Sequence, residues 1–259
     1  MYEGVSMVIG SICTEKGGVG KTSILFHTAW ELSERNSVLM IDTESQRSNL
    51  TSYAGIRKDR NLVTIRNVLE SDSAFGAVRE IRPGLDMIPA DESCISLQAQ
   101  NCIQPMKKLI RKLQGRYDYI FIDVGASGYL HAAVLAVSDY IIIPVTLEYG
   151  SLGAIQGIAQ SVQEIRQINP RLQILGILVN RYSVRSTLRK EILQTMGRLA
   201  DQLQTRLFDT RIHESVLFDA GITAHKGISE YAPKSKPADD IRALSAELER
   251  LTHRSKKGV

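Results

Sequence analysis

The sequence has few cysteines and no long apolar run. Its three cysteines, Cys13, Cys94 and Cys102, are odd in number and share no metal-ligand spacing, so neither a disulfide framework nor a zinc site is expected. No apolar run reaches the roughly 18 residues that a membrane span needs. The first ten residues have no basic flank ahead of an apolar stretch, which argues against a signal peptide. We therefore expect a reduced, cytoplasmic protein whose cysteines are small core residues.

Linkers, internal repeats and low-complexity segments are also missing. Hydrophobic residues make up 43% of the 259 residues and charged residues 23%, a balance typical of soluble globular proteins. A chain of this length often forms one α/β domain. We predict a single domain over residues 1–252 and a basic, frayed tail over residues 253–259.

Apolar, β-branched runs alternate with segments of helical period along the chain. Expected strands cover residues 7–14, 37–42, 85–89, 118–123, 140–145, 172–180 and 206–208. Expected helices cover residues 21–35, 62–69, 95–114, 130–137, 152–168, 186–203 and 237–251. Nearly continuous apolar strands indicate burial on both faces of a parallel sheet. The pattern predicts an α/β fold with a doubly wound, mostly parallel sheet and helices on both faces.

A glycine-rich loop joins the first expected strand to the first expected helix. Residues 16–22 read KGGVGKT, and glycines let the backbone turn so that its N–H groups point at phosphate oxygens. Lys21 can reach the β- and γ-phosphates, and the Thr22 hydroxyl can ligate Mg²⁺. The alternative, a glycine-rich turn that binds nothing, fits this context poorly. The expected nucleotide contacts are Lys16, Gly17, Gly18, Val19, Gly20, Lys21, Thr22, Ser23 and, further along the chain, Asn180.

The same loop resembles the deviant Walker A motif of the ParA/MinD ATPases. It departs from the general phosphate-loop pattern because Glu15 stands at the first glycine position and a second lysine, Lys16, opens the loop. In that family the extra lysine reaches across a dimer interface to the partner's nucleotide, so the resemblance implies an ATP-dependent homodimer. A second cation on the phosphates stabilises the charge that develops during phosphoryl transfer. A plain surface lysine is the alternative for Lys16.

Two further segments place carboxylates after buried strands. Asp123 ends YDYIFID, the Walker B pattern that puts a carboxylate near Mg²⁺. Asp42 opens DTESQ, which resembles the family's D-x-D-x-Q segment with Glu44 as its middle acid. By resemblance, Asp42 holds the magnesium hydration shell and Glu44 orients or activates the attacking water. Glu44 is one methylene longer than the usual aspartate, so slow hydrolysis is expected; it could instead be a plain exposed loop acid.

Asn180 ends another strand, in LVNRY. An amide at this position suits the edge of adenine, as in related ATPases. A strand-end cap is the equal alternative, and the residue type does not choose between them.

The basic residues are concentrated in the last third of the chain. Residues 181–259 contain 15 Lys and Arg against 10 Asp and Glu, an excess of five, and the whole chain has a net charge of +4. Such an excess is either a solvated surface or an electrostatic footprint for nucleic acid. Partition-type members of the family carry arginines, some of them used to bind DNA, at the positions of Glu214 and Leu217. The resemblance therefore does not imply a DNA contact at these two positions. Arg185, Arg189 and Lys190 are the candidates for binding DNA instead.

These features together predict a slow, ParA/Soj-like partition ATPase that uses ATP and Mg²⁺. The resemblance covers almost the whole chain and implies nonspecific binding to double-stranded DNA, a ParB-like partner that stimulates hydrolysis, and a cytoplasmic, nucleoid-associated location in a bacterium or archaeon. A positioning ATPase that acts on a protein assembly or a membrane is the first alternative, although the C-terminus lacks the aromatic anchors of a membrane helix. A metabolic P-loop enzyme is the second. Residues 124–137 contain no cysteine, which excludes the iron–sulfur relatives.

Overall fold

The structure, a computed structural model, describes residues 7–14, 16–44, 50–57, 59, 61–71, 75–97, 99–124, 130–183 and 187–255. An eight-stranded sheet forms its centre, with the order β3-β4-β2-β5-β1-β6-β7-β8. The strands are β1 (Val8–Ile12), β2 (Val38–Asp42), β3 (Arg79–Arg82), β4 (Leu85–Ile88), β5 (Tyr119–Asp123), β6 (Tyr140–Val145), β7 (Gln173–Tyr182) and β8 (Leu207–His213). All neighbours are parallel except the β3–β4 pair. The predicted fold class is confirmed.

Helices cover both faces of this sheet. They are α1 (Lys21–Leu32), α2 (Leu50–Tyr53), α3 (Ile65–Ser71), α4 (Ala99–Leu113), α5 (His131–Leu135), α6 (Gly150–Ile165), α7 (Thr187–Gln202), α8 (Leu217–Thr223), α9 (Ile228–Tyr231) and α10 (Lys236–Ser255). Helix α10 extends past the domain boundary expected at residue 252. Within the described part of the chain, no helix is long and apolar enough to cross a membrane.

Alternating side chains of each strand supply two separate cores. In β5, Tyr119 and Phe121 pack toward α1 and α10, whereas Ile120 and Ile122 pack on the opposite face. That alternation follows from the two-residue period of a strand. Both sets are buried, which explains why the strands are apolar throughout. The three cysteines are buried and free of disulfides, as expected.

The structure corrects three local predictions. Strand β3 was not predicted, although a Pro-Gly turn joins it to β4; Gly84 there has φ 82°, a conformation that favours glycine. Strand β8 continues to His213 instead of ending at residue 208, because only Phe208 and Ile212 of this edge strand are fully buried and the continuous apolar pattern of the central strands is missing. The short helices α8 and α9 lie in a stretch for which the sequence predicted no element.

Candidate functional site

The phosphate loop connects β1 to α1 at the carboxyl edge of the sheet. Gly18 and Gly20 have φ angles of 73° and 88°, which side-chain-bearing residues rarely adopt. A Cβ atom at Gly20 would also lie 2.4 Å from Asn180 Nδ2. Because Gly20 immediately precedes α1, the loop ends at a helix N-terminus, where free N–H groups and the helix dipole favour an anion.

The two lysines of the loop differ in environment. Lys21 begins α1 and is 8% exposed, so its ammonium group lies within the cleft rather than in bulk solvent. The side chain of Lys16 is 33% exposed and forms an ion pair with Glu148, whose side chain is 61% exposed. Lys21 is therefore the buried cation of the site, and Lys16 lies at its accessible rim.

Asp42 and Asp123 lie side by side because β2 and β5 pair in register at these residues. The Thr22 hydroxyl donates a hydrogen bond to Asp123 Oδ2 at 2.8 Å. Asp123 Oδ1 is buried and has no hydrogen-bond partner within the described residues. Burial raises the pKa of Asp123 to about 7, with Asp42 adding to the shift and Thr22 and Lys21 opposing it. A buried carboxylate oxygen without a donor requires a cation or a proton.

Mg²⁺ fits this set of donors. Mg²⁺ is usually bound through one or two carboxylates together with substrate phosphates and water. The Thr22 hydroxyl donates its hydrogen bond to Asp123, and its oxygen still has lone pairs that can ligate the ion. Thr22 and Asp123, with Asp42 beside them, would hold the ion. When bound, it would neutralise charge on the phosphates.

Asp42 is held by the segment that follows its strand. Its Oδ1 accepts a hydrogen bond from the Glu44 main-chain N–H at 2.9 Å, and its Oδ2 accepts from the Thr51 N–H at 2.9 Å and the Thr51 hydroxyl at 2.5 Å. The Ala90 N–H donates in turn to Thr51 Oγ1 at 2.9 Å. Asp42 is thus oriented before any ligand arrives. No local pattern singles out Thr51, because the residue lies in a separate short helix.

Glu44 lies on the wall of the same cleft and is 8% exposed. Its burial argues against the alternative of a plain exposed loop acid. Gln46, the last residue of the D-x-D-x-Q resemblance, lies outside the described residues, as does Glu15.

Asn180 contacts the phosphate loop itself. Its Nδ2 donates a hydrogen bond to the Val19 carbonyl at 2.7 Å, and the side chain is buried. The amide therefore links the end of β7 to the loop. The sequence suggested an adenine contact or a strand-end cap for Asn180. The structure shows a third role, in which the side chain holds the phosphate loop through the Val19 carbonyl.

The cleft next to the loop is large enough for a nucleotide. Its volume is about 630 Å³, within the usual range of ligand sites. Besides the loop, Glu44 and Asn180, it is lined by residues that the sequence did not predict: Tyr53, Arg181, Ile212, His213, Ser215, Val216, Phe218 and Asp219. Arg181 has φ 49°, a strained conformation that costs of order 1 kcal/mol and is typical of functional sites.

A second, larger cavity of about 1180 Å³ lies at the opposite edge of the sheet. It is lined by the amino-terminal ends of strands, including Val8, Tyr140 and Gln173, and by none of the phosphate-loop residues. Ligand sites of open α/β sheets lie at the carboxyl ends of the strands. The smaller cleft is therefore the candidate functional site.

Fold and loop together define a P-loop nucleotide-binding protein. The chain belongs to the AAA domain family, whose model matches residues 7–174. An uncharacterized protein of Mycobacterium tuberculosis is 32% identical over 249 residues, covering 92% of this chain and 77% of that protein. The chromosome-partitioning ATPase Soj of Thermus thermophilus is 28% identical over 241 residues, covering 92% and 94%. These relatives confirm the resemblance to the ParA/Soj ATPases.

Solved structures share the fold. A variant of McdA from Cyanothece in complex with ATP superposes with a TM-score of 0.79 at 21% identity, covering 94% of this chain and 96% of that one. The septum site-determining protein MinD of Pyrococcus horikoshii, complexed with Mg-ADP, gives a TM-score of 0.74 at 23% identity, covering 95% and 97%. At this level of identity the likeness shows the fold alone.

Proposed function

We propose that this chain is a ParA-like ATPase that binds ATP and Mg²⁺, dimerises face to face around ATP, and in that form binds DNA without sequence preference. A ParB-like partner stimulates the slow hydrolysis and so releases the DNA, which drives plasmid or chromosome partition. The observation that carries the proposal is the pair of unlike lysines in one phosphate loop. Lys21 is buried next to the proposed triphosphate site, whereas Lys16 and its ion-pair partner Glu148 are both accessible, so Lys16 can exchange that partner for the phosphates of a second nucleotide.

The surface around the cleft supports dimerisation. Three large apolar side chains are exposed at the carboxyl edge of the sheet: Tyr149 (81%), Val216 (81%) and Leu188 (61%). Tyr149 directly follows Glu148, the ion-pair partner of Lys16, and Val216 lines the cleft itself. Exposed apolar groups with aromatic residues among them are typical of protein interfaces. A second copy that covers the cleft would bury them.

Lys16→Ala is expected to prevent the ATP-dependent dimer or to stop its turnover, because the partner's phosphates lose a cation. Light scattering with ATP and with ADP measures the dimer, and phosphate release measures turnover. The wild type should be monomeric with ADP and dimeric with ATP. Lys16→Arg, which keeps the charge, is the matched control. Wild-type dimerisation and hydrolysis in Lys16→Ala would contradict a role across the interface.

Two of the three candidate DNA contacts lie in α7, which follows β7. Helix α7 begins at Thr187, Lys190 is exposed, and Arg189 is half-buried with its Nη1 donating to the Ser183 carbonyl at 2.6 Å. Arg185 lies outside the described residues, before the start of α7. Pairing two monomers would double this basic surface, so ATP could raise DNA affinity without any new chemistry.

DNA binding is expected to depend on ATP, to be alike for unrelated sequences and to weaken with salt. Phosphate contacts carry no sequence information, and the log–log salt slope should be about −0.9 for each phosphate neutralised. A mobility shift on two unrelated duplexes, with ATP or ADP at two salt concentrations, measures all three properties. Replacing Arg185, Arg189 and Lys190 by alanine should weaken binding by about 10-fold or more.

The matched control replaces Lys108, Arg111 and Lys112 on α4 by alanine, which removes the same charge from another face. Binding that survives loss of the α7 triad would refute that choice of surface. Absence of any binding with ATP at low salt would refute the DNA cargo.

A cargo-positioning ATPase that acts on a protein assembly or membrane is the second candidate. One observation favours it: the segment between β8 and α8, where partition-type members carry arginines, presents the acidic Glu214 and the exposed, apolar Val216. That chemistry suits a protein surface better than a phosphate backbone. Loss of DNA binding together with intact ATP-dependent dimerisation would support this function.

A further inference from the structure

His213 lies at the end of β8 and lines the nucleotide cleft. Its side chain is 38% exposed. The ring packs edge-to-face against Tyr182, with centroids 5.2 Å apart, and Tyr182 in turn accepts a hydrogen bond from Arg211. The imidazole is therefore held in one orientation by its neighbours rather than free to rotate.

Asp240 on α10 fixes which ring nitrogen of His213 carries the proton. Its Oδ2 lies 2.9 Å from the His213 main-chain N and 2.8 Å from Nδ1. Its Oδ1 pairs with Lys236 Nζ at 2.7 Å, and the side chain is 3% exposed. A carboxylate can only accept hydrogen bonds, so Nδ1 must be the protonated nitrogen. In a neutral imidazole, Nε2 is then left as a hydrogen-bond acceptor.

His213 belongs to the half of the cleft that lies away from the carboxylates. Asp42 and Asp123 end β2 and β5, on one side of β1, whereas His213 ends β8, on the other side. The triphosphate end must face the carboxylates, Lys21 and Thr22. The base therefore extends toward β7 and β8, where the apolar side chains of Ile212 and Phe218 also line the cleft and can contact the ring faces of a base.

We propose that His213 Nε2 accepts a hydrogen bond from the exocyclic amine of the adenine base, and that Asp240 is the positioning residue that keeps Nε2 an acceptor. A 6-oxopurine presents a carbonyl acceptor at the same place, so two acceptors would face each other and the base would be rejected. The pair would thus select ATP over GTP and ITP. This inference rests on the proposed ATP-binding function.

ATP and ITP are the sharpest pair of probes, because they differ only at position 6 of the base and its neighbouring N1 proton. Binding of each is measured by calorimetry at about pH 8. The wild type should bind ATP about 10-fold more tightly than ITP, the difference made by one hydrogen bond and one repulsive contact. His213→Leu should remove most of that preference.

Asp240→Ala is the decisive variant. Without the carboxylate nothing holds the ring proton on Nδ1, and a neutral imidazole can then carry it on Nε2, which turns the acceptor into a donor. The preference should then weaken or reverse toward ITP, a change that simple loss of structure does not produce. Asp239→Ala, one residue earlier on the exposed face of α10, is the control and should keep the wild-type ratio. His213→Gln, which can still accept, should retain part of the preference.

The outcomes separate this inference from the proposed function. Binding of neither triphosphate by the wild type would refute the nucleotide site itself. Equal binding of ATP and ITP would leave the ATPase standing and overturn the role of His213. An unchanged ATP-to-ITP ratio in His213→Leu and His213→Gln, or equal losses for both nucleotides in Asp240→Ala, would overturn it as well.

Discussion

Lys21→Ala is expected to weaken ATP binding by about 100-fold or more. The lysine is buried at the first position of α1, where its charge faces a triphosphate in a partly dehydrated cleft. Hydrogen bonds between charged groups are worth about twice those between neutral ones, and a triphosphate engages such a cation with more than one oxygen. Calorimetric titration with Mg-ATP measures the loss.

Two variants keep this test interpretable. Lys21→Met preserves the aliphatic stem and removes only the charge, so it separates lost packing from lost electrostatics. Lys226→Ala, whose ammonium group pairs with Glu230 on the surface, should bind ATP as the wild type does. Undiminished affinity in both Lys21 variants would contradict the phosphate-loop assignment.

Glu44→Ala is expected to reduce ATP hydrolysis by about 100-fold while leaving ATP affinity within a few-fold of the wild type. A carboxylate that orients or deprotonates the attacking water contributes of order 10²–10⁴ to the rate. Glu44 lines the cleft with its main-chain N–H bonded to Asp42, so its position is set by one of the carboxylates that we propose for Mg²⁺. Phosphate release under saturating ATP measures the effect.

Glu44→Gln sharpens this experiment because it keeps the size of the side chain and removes the negative charge. A rate as low as that of the alanine variant would assign the role to the charge. Glu164→Ala on the exposed face of α6 is the control and should hydrolyse normally. Unchanged phosphate release in both Glu44 variants would exclude Glu44 as the water-positioning group.

The sequence predicted the position of the glycine loop between β1 and α1 because the signal of such a loop is local. Lys21 and Thr22 are adjacent in the chain, their glycines precede them directly, and the strand and helix on either side have strong periodicity. The carboxylates were predictable for a related reason. Each ends a buried strand, and parallel strands bring their carboxyl ends to one edge, so Asp42 and Asp123 had to lie near the loop.

Side chains that act through distant contacts were not predictable. Thr51 orients Asp42, and Asp240 orients His213 across 27 residues of chain. Neither residue has a local pattern, because its partner depends on how separate elements pack. The same holds for the ion pair of Lys16 with Glu148, which are 132 residues apart.

The sequence by itself determined the class of the fold and the position of the glycine loop, since hydrophobic period and glycine placement are local properties of the chain. Only the tertiary structure decided the order of the strands, the partners of the carboxylates and the lining of the cleft next to β7 and β8. The physical reason is that hydrogen-bond partners must lie within about 3 Å of each other in space. The number of residues between two side chains does not predict that distance when they belong to separate strands and helices. Lys16 and His213 mark the difference: the sequence singled out the first by its motif, and the second acquires a role only beside Asp240.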